Sequence, residues 1–199
     1  MTAAPRLGVL GGSFDPPHVG HLAIASEAAH AFVLERVLFV PAAAPPHKTE
    51  VPRTDAATRL EMAALAVEED LRFTASGIEI DQELVYTADT VRAVGERYPA
   101  HDIVFVMGSD SLLQLETWHE PGELLARCTL AVAPRPGDPA EEVAAAAVRW
   151  GEGRVVLLDT PALAISSTGI RARVARRQPI RYLVPPAIEE FVLERGLYR

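Results

Sequence analysis

The sequence predicts an α/β fold in which a doubly wound parallel sheet is followed by a small helical C-terminal end. Three observations support this prediction. Short apolar runs alternate with longer stretches of helical periodicity, glycine or proline separates most of them, and hydrophobic residues make up 49% of the 199 residues. The length favours one domain over residues 1–199, with a helical C-terminal part at residues 165–199.

The first elements of the chain form a βαβ unit. Residues 7–10 are a strand-like apolar run, which Gly11 and Gly12 end. A helix is predicted from about residue 18 to residue 34, because apolar side chains recur there at helical spacing. Residues 36–40 are β-branched and aromatic and form the second strand. A strand, a turn, a helix and a strand in this order predict parallel pairing.

The remaining elements continue the alternation more loosely. A proline-rich loop is predicted at residues 41–52, and a helix capped by Thr54 or Asp55 runs to about residue 69. Further strands are predicted at residues 72–80, 102–107, 129–133 and 154–158. Further helices are predicted at residues 87–98, with Thr87 as N-cap, and at 120–127, 140–150, 167–176 and 186–194. The series is typical of a Rossmann-like sheet with helices on both faces.

Charge and cysteine content narrow the classes of function. The net charge of -8 provides no sequence-wide positive field, which argues against general binding of nucleic acid or an anionic membrane. An anionic substrate must therefore be met by a local positive site. The one cysteine, Cys128, predicts no intramolecular disulfide and a cytoplasmic location. No apolar run approaches the ~20 residues that a transmembrane helix needs.

The segment GGSFDPPHVGH at residues 11–21 carries the clearest chemical signal. It lies between the first strand and the first helix, where parallel sheets bind ligands. The two glycines let backbone approach a phosphate, and the helix start offers N–H groups and partial positive charge. His18 and His21 are three residues apart, so they share one helix face. Two imidazoles there can donate hydrogen bonds to a phosphoryl group under attack.

Other interpretations of this segment compete with phosphate binding. A histidine near a helix start is often solvated or structural, and a histidine pair at this spacing can bind zinc, but no third ligand is nearby. The segment lacks the lysine and hydroxyl of a Walker loop. It also lacks the Gly-x-Gly-x-x-Gly spacing of a dehydrogenase.

Seven further motifs follow in order along the chain. They are PPHK at 45–48, YTADT at 86–90, GSDSL at 108–112, WHE at 118–120, RPG at 135–137, ISSTGIR at 165–171 and GLYR at 196–199. Together with residues 11–21, this set resembles the bacterial nicotinate-nucleotide adenylyltransferases of the paired-histidine nucleotidyltransferase superfamily. The resemblance spans nearly the whole chain. It departs from the family mildly at Ser13, where threonine is usual.

The resemblance implies roles for particular residues. The implied catalytic residues are His18, His21 and Lys48. The implied ATP-binding residues are Gly11, Gly12, Ser13, Phe14, His18, His21, Gly108, Asp110, Ser167, Thr168 and Arg171. The implied substrate-binding residues are Ser13, Lys48, Thr87, Asp110, Trp118, His119 and Arg135. A simpler role stays open for three of these: a solvated loop lysine for Lys48, a helix cap for Asp110 and a core aromatic for Trp118.

The reaction implied by the resemblance joins ATP to nicotinate mononucleotide, giving nicotinate adenine dinucleotide and pyrophosphate. Mg²⁺ is expected as the cofactor, held by ATP oxygens and water and by no dedicated protein site. The alternatives are a pantetheine-phosphate or nicotinamide mononucleotide adenylyltransferase, a cytidylyltransferase, and a non-catalytic nucleotide-binding regulator. The expected partners are these small molecules, and a homo-oligomer stays open.

Overall fold

Six strands form one parallel sheet in the computed structural model, which describes residues 4–43, 54–161 and 163–199. The strands are β1 (Arg6–Gly12), β2 (Arg36–Pro41), β3 (Phe73–Ala75), β4 (Asp102–Gly108), β5 (Cys128–Ala133) and β6 (Val155–Leu157). Their order across the sheet is β3-β2-β1-β4-β5-β6. This is the order of a Rossmann-type doubly wound sheet, as the sequence predicts.

Nine α-helices lie in the described residues. They are α1 (Val19–Phe32), α2 (Ala56–Val67), α3 (Ile78–Asp81), α4 (Thr87–Arg97), α5 (Ser109–Leu113), α6 (Pro121–Arg127), α7 (Ala140–Trp150), α8 (Ser167–Ala175) and α9 (Pro186–Glu194). A 3₁₀ turn at Leu115–Thr117 follows α5. None of these helices is both long and apolar enough to cross a membrane.

The core lies on both faces of the sheet. Side chains alternate between the faces along each strand, so that Leu10 of β1 joins one hydrophobic cluster and Val9 the other. The first cluster includes residues of α1, α2, α8 and α9, and the second includes residues of α4, α6 and α7. Cys128 belongs to the second cluster, and burial raises the pKa of its thiol to about 12, consistent with a packing role.

The predicted strand at residues 72–80 is wrong over most of its length. Strand β3 ends at Ala75, and the short helix α3 occupies Ile78–Asp81. β3 is an edge strand that pairs along only three residues of β2, and after the Ser76 N–H donates to the Phe39 carbonyl the chain turns away. The apolar residues of this segment alternate as they would in a strand. Ile78, however, is buried as part of the helix α3.

The structure corrects one predicted helix cap, decides between two others and adds a helix that the sequence does not predict. Tyr86, not Thr87, is the N-cap of α4, and its side chain makes no capping hydrogen bond. Of the two caps predicted for α2, Asp55 is the N-cap, and its carboxylate accepts the Thr58 N–H at 2.9 Å. Helix α5, directly after β4, is absent from the sequence prediction, because five residues are too few to show helical periodicity.

The topology places the site at one edge of the sheet. The chain moves from β1 outward to β2 and β3, returns to β4 beside β1, and then moves outward the other way to β5 and β6. The carboxyl ends of β1 and β4 therefore flank the switch point at which such sheets bind ligands. The motif at residues 11–21 begins in the last two residues of β1, and the GSDSL motif begins at the last residue of β4, so both predicted motifs lie at this crevice.

Candidate active site

The turn after β1 has an unusual backbone. Phe14 adopts a left-handed conformation with φ of 48°, and its ring is buried 5.7 Å from the ring of Phe39, measured between centroids. A Cβ on Gly12 would lie 3.2 Å from the Phe14 ring, so glycine leaves room for it. Because non-glycine residues rarely adopt positive φ, neighbouring groups must hold this turn in place.

The paired histidines lie at the start of α1. His18 is the N-cap and is 5% exposed, and its ring stacks on that of His21 with centroids 3.7 Å apart. The His18 backbone N–H donates to His21 Nδ1 at 3.2 Å, so the proton of a neutral His21 ring resides on Nε2. A Cβ on Gly20 would lie 3.0 Å from His18 Nδ1, and glycine therefore admits the His18 ring.

The start of α1 offers fewer N–H groups than the sequence predicts. The Val19 N–H donates to the Leu183 carbonyl at 3.0 Å, from the segment between α8 and α9. The His21 N–H donates to the His18 carbonyl at 2.9 Å. The C-terminal part of the chain is thus bound to the start of the histidine helix, and the Val19 and His21 N–H groups already have backbone acceptors.

A buried arginine, Arg59, is hydrogen-bonded to the turn after β1. Arg59 of α2 is 2% exposed, and its Nη1 donates to the Ser13 carbonyl at 3.0 Å. Its other nitrogens donate to the carbonyls of Thr54 at 3.3 Å and Ala43 at 3.4 Å. Burial lowers the pKa of Arg59, and the nearby Asp15 carboxylate opposes this shift. The guanidinium remains charged, since arginine deprotonates only far above neutral pH.

Asp15 is the buried anion of this cluster. Its side chain is 1% exposed, and its Oδ1 accepts hydrogen bonds from the hydroxyls of Thr54 and of Tyr198, the latter at 2.7 Å. Burial and the Asp15 carboxylate raise the pKa of Tyr198, which keeps the phenol protonated as a donor. Arg171 Nη1 lies 4.0 Å from Asp15 Oδ2 and donates to the Asp15 carbonyl at 2.9 Å.

Helix α8 is attached to the same turn. Its N-cap Ser166 accepts a hydrogen bond from the Gly169 N–H at 3.1 Å, which accounts for the helix start. Ser167 Oγ donates to the Pro16 carbonyl at 2.8 Å. Arg171 Nη2 donates to Thr168 Oγ1 at 3.1 Å. The predicted ATP-side residues therefore lie beside the histidine turn, although they are distant from it in sequence.

A second cluster lies at the carboxyl ends of β4 and β5. Arg135 Nη1 pairs with Asp110 Oδ2 at 3.0 Å, and both side chains are partly exposed. The buried Ser109 hydroxyl accepts the Arg135 N–H at 2.8 Å and donates to Asp138 Oδ2 at 2.5 Å. A Cβ on Gly108 would lie 2.5 Å from Asp110 Oδ1, so a larger residue there would displace the Asp110 carboxylate from its present position.

The start of α4 lies near the tryptophan segment. The rings of Tyr86 and His119 stack with centroids 4.2 Å apart, which connects the residue before α4 to the residue after Trp118. Trp118 is partly buried and packs edge-on against Phe105 at 6.5 Å between centroids. A core role therefore accounts for part of the Trp118 side chain. Thr87 is the first helical residue of α4.

A partly buried carboxylate, Glu79, contacts α4. Glu79 of α3 accepts a hydrogen bond from the Thr90 hydroxyl at 2.8 Å and from the Ala43 N–H at 3.3 Å. Burial raises the pKa of Glu79 to about 7, although both hydrogen bonds oppose the shift. Ala43 is thus held on both sides, with its N–H on Glu79 and its carbonyl on Arg59.

The structure collects most of the predicted site residues at one edge of the sheet. The residues after β1 and at the start of α8 form one contact network, and those after β4 and β5 form another. Lys48 and the rest of the PPHK motif lie outside the described residues. Among the residues described, no three His, Cys, Asp or Glu side chains group closely enough to hold a metal ion.

Sequence reasoning missed three residues of the first network. Asp15 lies inside the motif at residues 11–21, and Tyr198 inside the GLYR motif, yet the sequence prediction gives neither a role. Arg59 had a detectable signal: it occupies the buried helical face that it shares with Met62, Ala63 and Ala66. A charge on an apolar face requires a buried partner and so indicates a functional or organising position.

Comparison with known proteins identifies relatives over the full chain. Residues 9–173 match the cytidylyltransferase-like family. The chain is 43% identical to a probable nicotinate-nucleotide adenylyltransferase of Moorella thermoacetica, covering 100% of this chain and 94% of that protein. It is 44% identical to a protein of the same description from Thermus thermophilus, covering 98% of this chain and 100% of that protein.

Solved structures share the fold. The nicotinic acid mononucleotide adenylyltransferase of Plasmodium falciparum, complexed with NaAD, superposes with a TM-score of 0.80 at 18% identity and covers 98% of this chain and 97% of its own. A putative nicotinate-nucleotide adenylyltransferase from Vibrio parahaemolyticus has a TM-score of 0.71 at 20% identity, covering 98% and 96%. With its paired histidines at the switch point and its full-length relatives, the chain belongs to the nicotinate-nucleotide adenylyltransferase family of cytidylyltransferase-like proteins.

Proposed function

We propose that this protein transfers the adenylyl group of ATP to nicotinate mononucleotide, giving nicotinate adenine dinucleotide and pyrophosphate in NAD biosynthesis. The observation that carries the proposal is full-length similarity, at 43–44% identity, to relatives described as probable nicotinate-nucleotide adenylyltransferases. The contact network between the histidine turn and α8 supports it, because a transferase that joins two anions needs several donors held together at one crevice.

The chemistry requires little from the protein beyond alignment and charge neutralisation. An oxygen of the mononucleotide phosphate attacks the α-phosphorus of ATP, the bond to the β-phosphate oxygen breaks, and pyrophosphate leaves. The attacking phosphate is already anionic near neutral pH, so no strong general base is needed. Donors placed where negative charge develops supply the main rate enhancement.

His18 and His21 are the donors that we assign to the transferring phosphate. Their stacked rings lie at the start of α1, where the helix dipole adds partial positive charge. Because His21 Nδ1 accepts the His18 N–H, the proton on His21 Nε2 is the one that can be donated to a phosphoryl oxygen. The glycines of the turn, Gly11 and Gly12, allow the ATP phosphates to approach the backbone closely.

The remaining roles are divided between the two substrates. Ser13, Phe14, Gly108 and the α8 residues Ser167, Thr168 and Arg171 are assigned to ATP. Ser13 and Asp110 are assigned to both nucleotides, and Lys48 is assigned to catalysis as well as to the mononucleotide. The other residues assigned to the mononucleotide are Thr87, Trp118, His119 and Arg135. Arg135 is a suitable anion ligand because its half-exposed guanidinium pairs with the exposed Asp110 carboxylate, which it can exchange for a phosphate.

Mg²⁺ is proposed to enter with ATP. It binds few protein ligands when substrate phosphates are available and retains several waters. The partly exposed Asp110 carboxylate, which pairs with Arg135, lies at this crevice, and a metal ion held mainly by the triphosphate needs few protein ligands. When bound, the ion would offset negative charge on the phosphates that separate during transfer.

The enzyme is expected to prefer the acid over the amide of the mononucleotide. The first N–H groups of a helix have no partner within it and favour an anion, and Thr87 begins α4. A carboxamide would turn its own donor toward these donors. If the mismatch costs ~2–4 kcal/mol, the ratio of kcat/KM values should be roughly 30- to 1000-fold. Equal kcat/KM values for the acid and the amide would show that the start of α4 does not discriminate between carboxylate and carboxamide.

One assay tests the proposal against its alternatives. The protein is incubated with Mg²⁺ and either ATP or CTP, together with nicotinate mononucleotide, nicotinamide mononucleotide or pantetheine phosphate, and the products are identified by mass spectrometry. We expect nicotinate adenine dinucleotide and an equal amount of pyrophosphate. Formation of another product would assign another transferase activity, and binding of ATP without pyrophosphate release would indicate a regulator.

A further inference from the structure

The penultimate residue of the chain contacts the centre of the candidate site. Tyr198 is 7% exposed, and its hydroxyl donates to Asp15 Oδ1 across 183 positions of sequence. Burial and the adjacent carboxylate raise the pKa of this phenol, so it remains a donor at any pH at which the enzyme works. No part of the transfer reaction proposed above uses Tyr198 or Asp15.

The Asp15 carboxylate lies between cationic and neutral donors. Oδ1 receives the hydroxyls of Tyr198 and Thr54, and Oδ2 faces Arg171 Nη1 at 4.0 Å. At that distance Nη1 is attracted to the carboxylate without a full hydrogen bond to it. Instead Nη1 donates to the Asp15 carbonyl and Nη2 to Thr168, which holds the guanidinium beside the turn.

The two hydroxyls therefore compete with Arg171 for the same buried anion. A carboxylate that already accepts two hydroxyl hydrogen bonds attracts a further donor less strongly than a carboxylate without them. If a hydroxyl is lost, the buried charge is left under-satisfied, and Arg171 is a cation near enough to close the 4.0 Å gap. Closing it would move the guanidinium toward Asp15 and away from a phosphate in the crevice.

We propose that Tyr198 is a positioning residue for ATP, which satisfies the Asp15 carboxylate so that Arg171 is presented to the triphosphate. The C-terminal residues thereby become part of the ATP site without touching ATP. This inference rests on the proposed function only in assigning Arg171 to ATP. Thr54, whose hydroxyl donates to the same oxygen, has the same role.

The test compares Tyr198→Phe with wild type, and uses Tyr182→Phe as the matched control, because Tyr182 is 83% exposed. We expect Tyr198→Phe to raise the Kd and the KM for ATP about tenfold, as for loss of a hydrogen bond to a charged group, and to change the KM for the mononucleotide by less than about twofold. Tyr182→Phe should resemble wild type. The Kd is measured calorimetrically without turnover, so it remains informative if the protein makes no nicotinate adenine dinucleotide.

A double-mutant cycle separates positioning from simple structural support. In an Arg171→Ala background the additional effect of Tyr198→Phe on ATP should vanish, because the residue through which it acts is absent. A folded Tyr198→Phe variant with unchanged ATP affinity would overturn the inference. So would a loss of the same size in both backgrounds, or a lowered melting temperature with unchanged kinetics below it.

Thr54 provides a second route if Tyr198→Phe does not fold. Thr54→Val removes the hydroxyl at nearly constant volume, and Thr54→Ser keeps it. We expect the valine variant alone to weaken ATP binding, and equal ATP affinity in the two folded variants would overturn the inference. Failure of the proposed function is distinguished by the wild type, which would then bind ATP but form no nicotinate adenine dinucleotide.

Discussion

The two sides of the candidate site are built in different ways. After β1, the turn is held by groups that are almost fully buried: Arg59 is 2% exposed and Asp15 1% exposed. After β4 and β5, the central contact is the ion pair of Arg135 and Asp110, whose side chains are 49% and 40% exposed. The first side exchanges hydrogen bonds with α2, α8 and the C-terminus, whereas the second is held by the neighbouring loop.

This difference indicates different tasks. Moving a buried arginine or aspartate leaves an uncompensated charge, so the turn after β1 should keep one geometry with or without ligand. An exposed ion pair contributes little free energy and is easily exchanged for a ligand. We therefore expect the transferring phosphate to meet a preformed surface, and the mononucleotide to meet side chains that rearrange around it.

The largest effect is expected from breaking the buried side. Arg59→Met would leave the carbonyls of Ser13, Thr54 and Ala43 without this donor and would remove one of the two cations near Asp15. We expect a loss of about 3–5 kcal/mol in the free energy of unfolding, measured by denaturant titration at pH 7. The same substitution at Arg135 should cost less than about 1 kcal/mol. Similar losses at the two positions would contradict the comparison.

The paired histidines test whether the preformed side acts in the transition state. His18→Ala or His21→Ala should lower kcat roughly 100-fold or more, about 2.7 kcal/mol for one donor to a developing charge. The Kd for ATP should change less than kcat. His30, exposed in the last turn of the same helix, is the matched control for alanine substitution. Near-normal turnover in both single variants would remove the pair from the mechanism.

The partly buried Glu79, which contacts α4 and Ala43, should make stability depend on pH. The pKa of Glu79 is about 7 when folded, against a reference value of 4.5, so the folded state retains a proton that the unfolded state loses. Its contribution to stability is present below about pH 4.5 and is lost as pH rises through 7, a change of up to about 3 kcal/mol.

Thermal unfolding of wild type and Glu79→Gln between pH 4.5 and pH 8 measures this contribution. The difference between the two proteins should shift with pH in favour of the glutamine variant as pH rises. A difference that is constant over the range would show that Glu79 does not retain its proton on folding.

The smallest effect is expected from the exposed pair. A double-mutant cycle with Asp110→Asn and Arg135→Met should give a coupling free energy below about 1 kcal/mol. The KM for nicotinate mononucleotide should nevertheless rise in the Arg135 variant, because the assigned anion ligand is gone. Strong coupling together with an unchanged KM would show that this pair is structural and that the second side is as rigid as the first.

Prediction from sequence succeeds where a feature is local. The first strand, the first helix and the second strand follow from a change in apolar period, and the structure has β1, α1 and β2 there. The predicted strand end is wrong, because β1 continues through Gly11 and Gly12, which pair with Val40 and Pro41 of β2. Prediction also fails at residues 72–80, because edge pairing over three residues leaves no distinct sequence period. The sequence predicts Thr87 as the cap of α4, but Tyr86 occupies that position, since the cap depends on where the chain enters the helix.

The sequence by itself determined the main alternation of strands and helices and the spacing of His18 and His21, since these follow from periodicity among residues close along the chain. It predicted parallel pairing from the βαβ order at the start of the chain. Only the tertiary structure decided what surrounds the histidine turn. Arg59 reaches Ser13 across 46 positions and Tyr198 reaches Asp15 across 183, and no local pattern encodes such partners. Buried charges find each other through the packing of whole helices, so their pairing becomes visible only once α2, α8 and the C-terminus are in place.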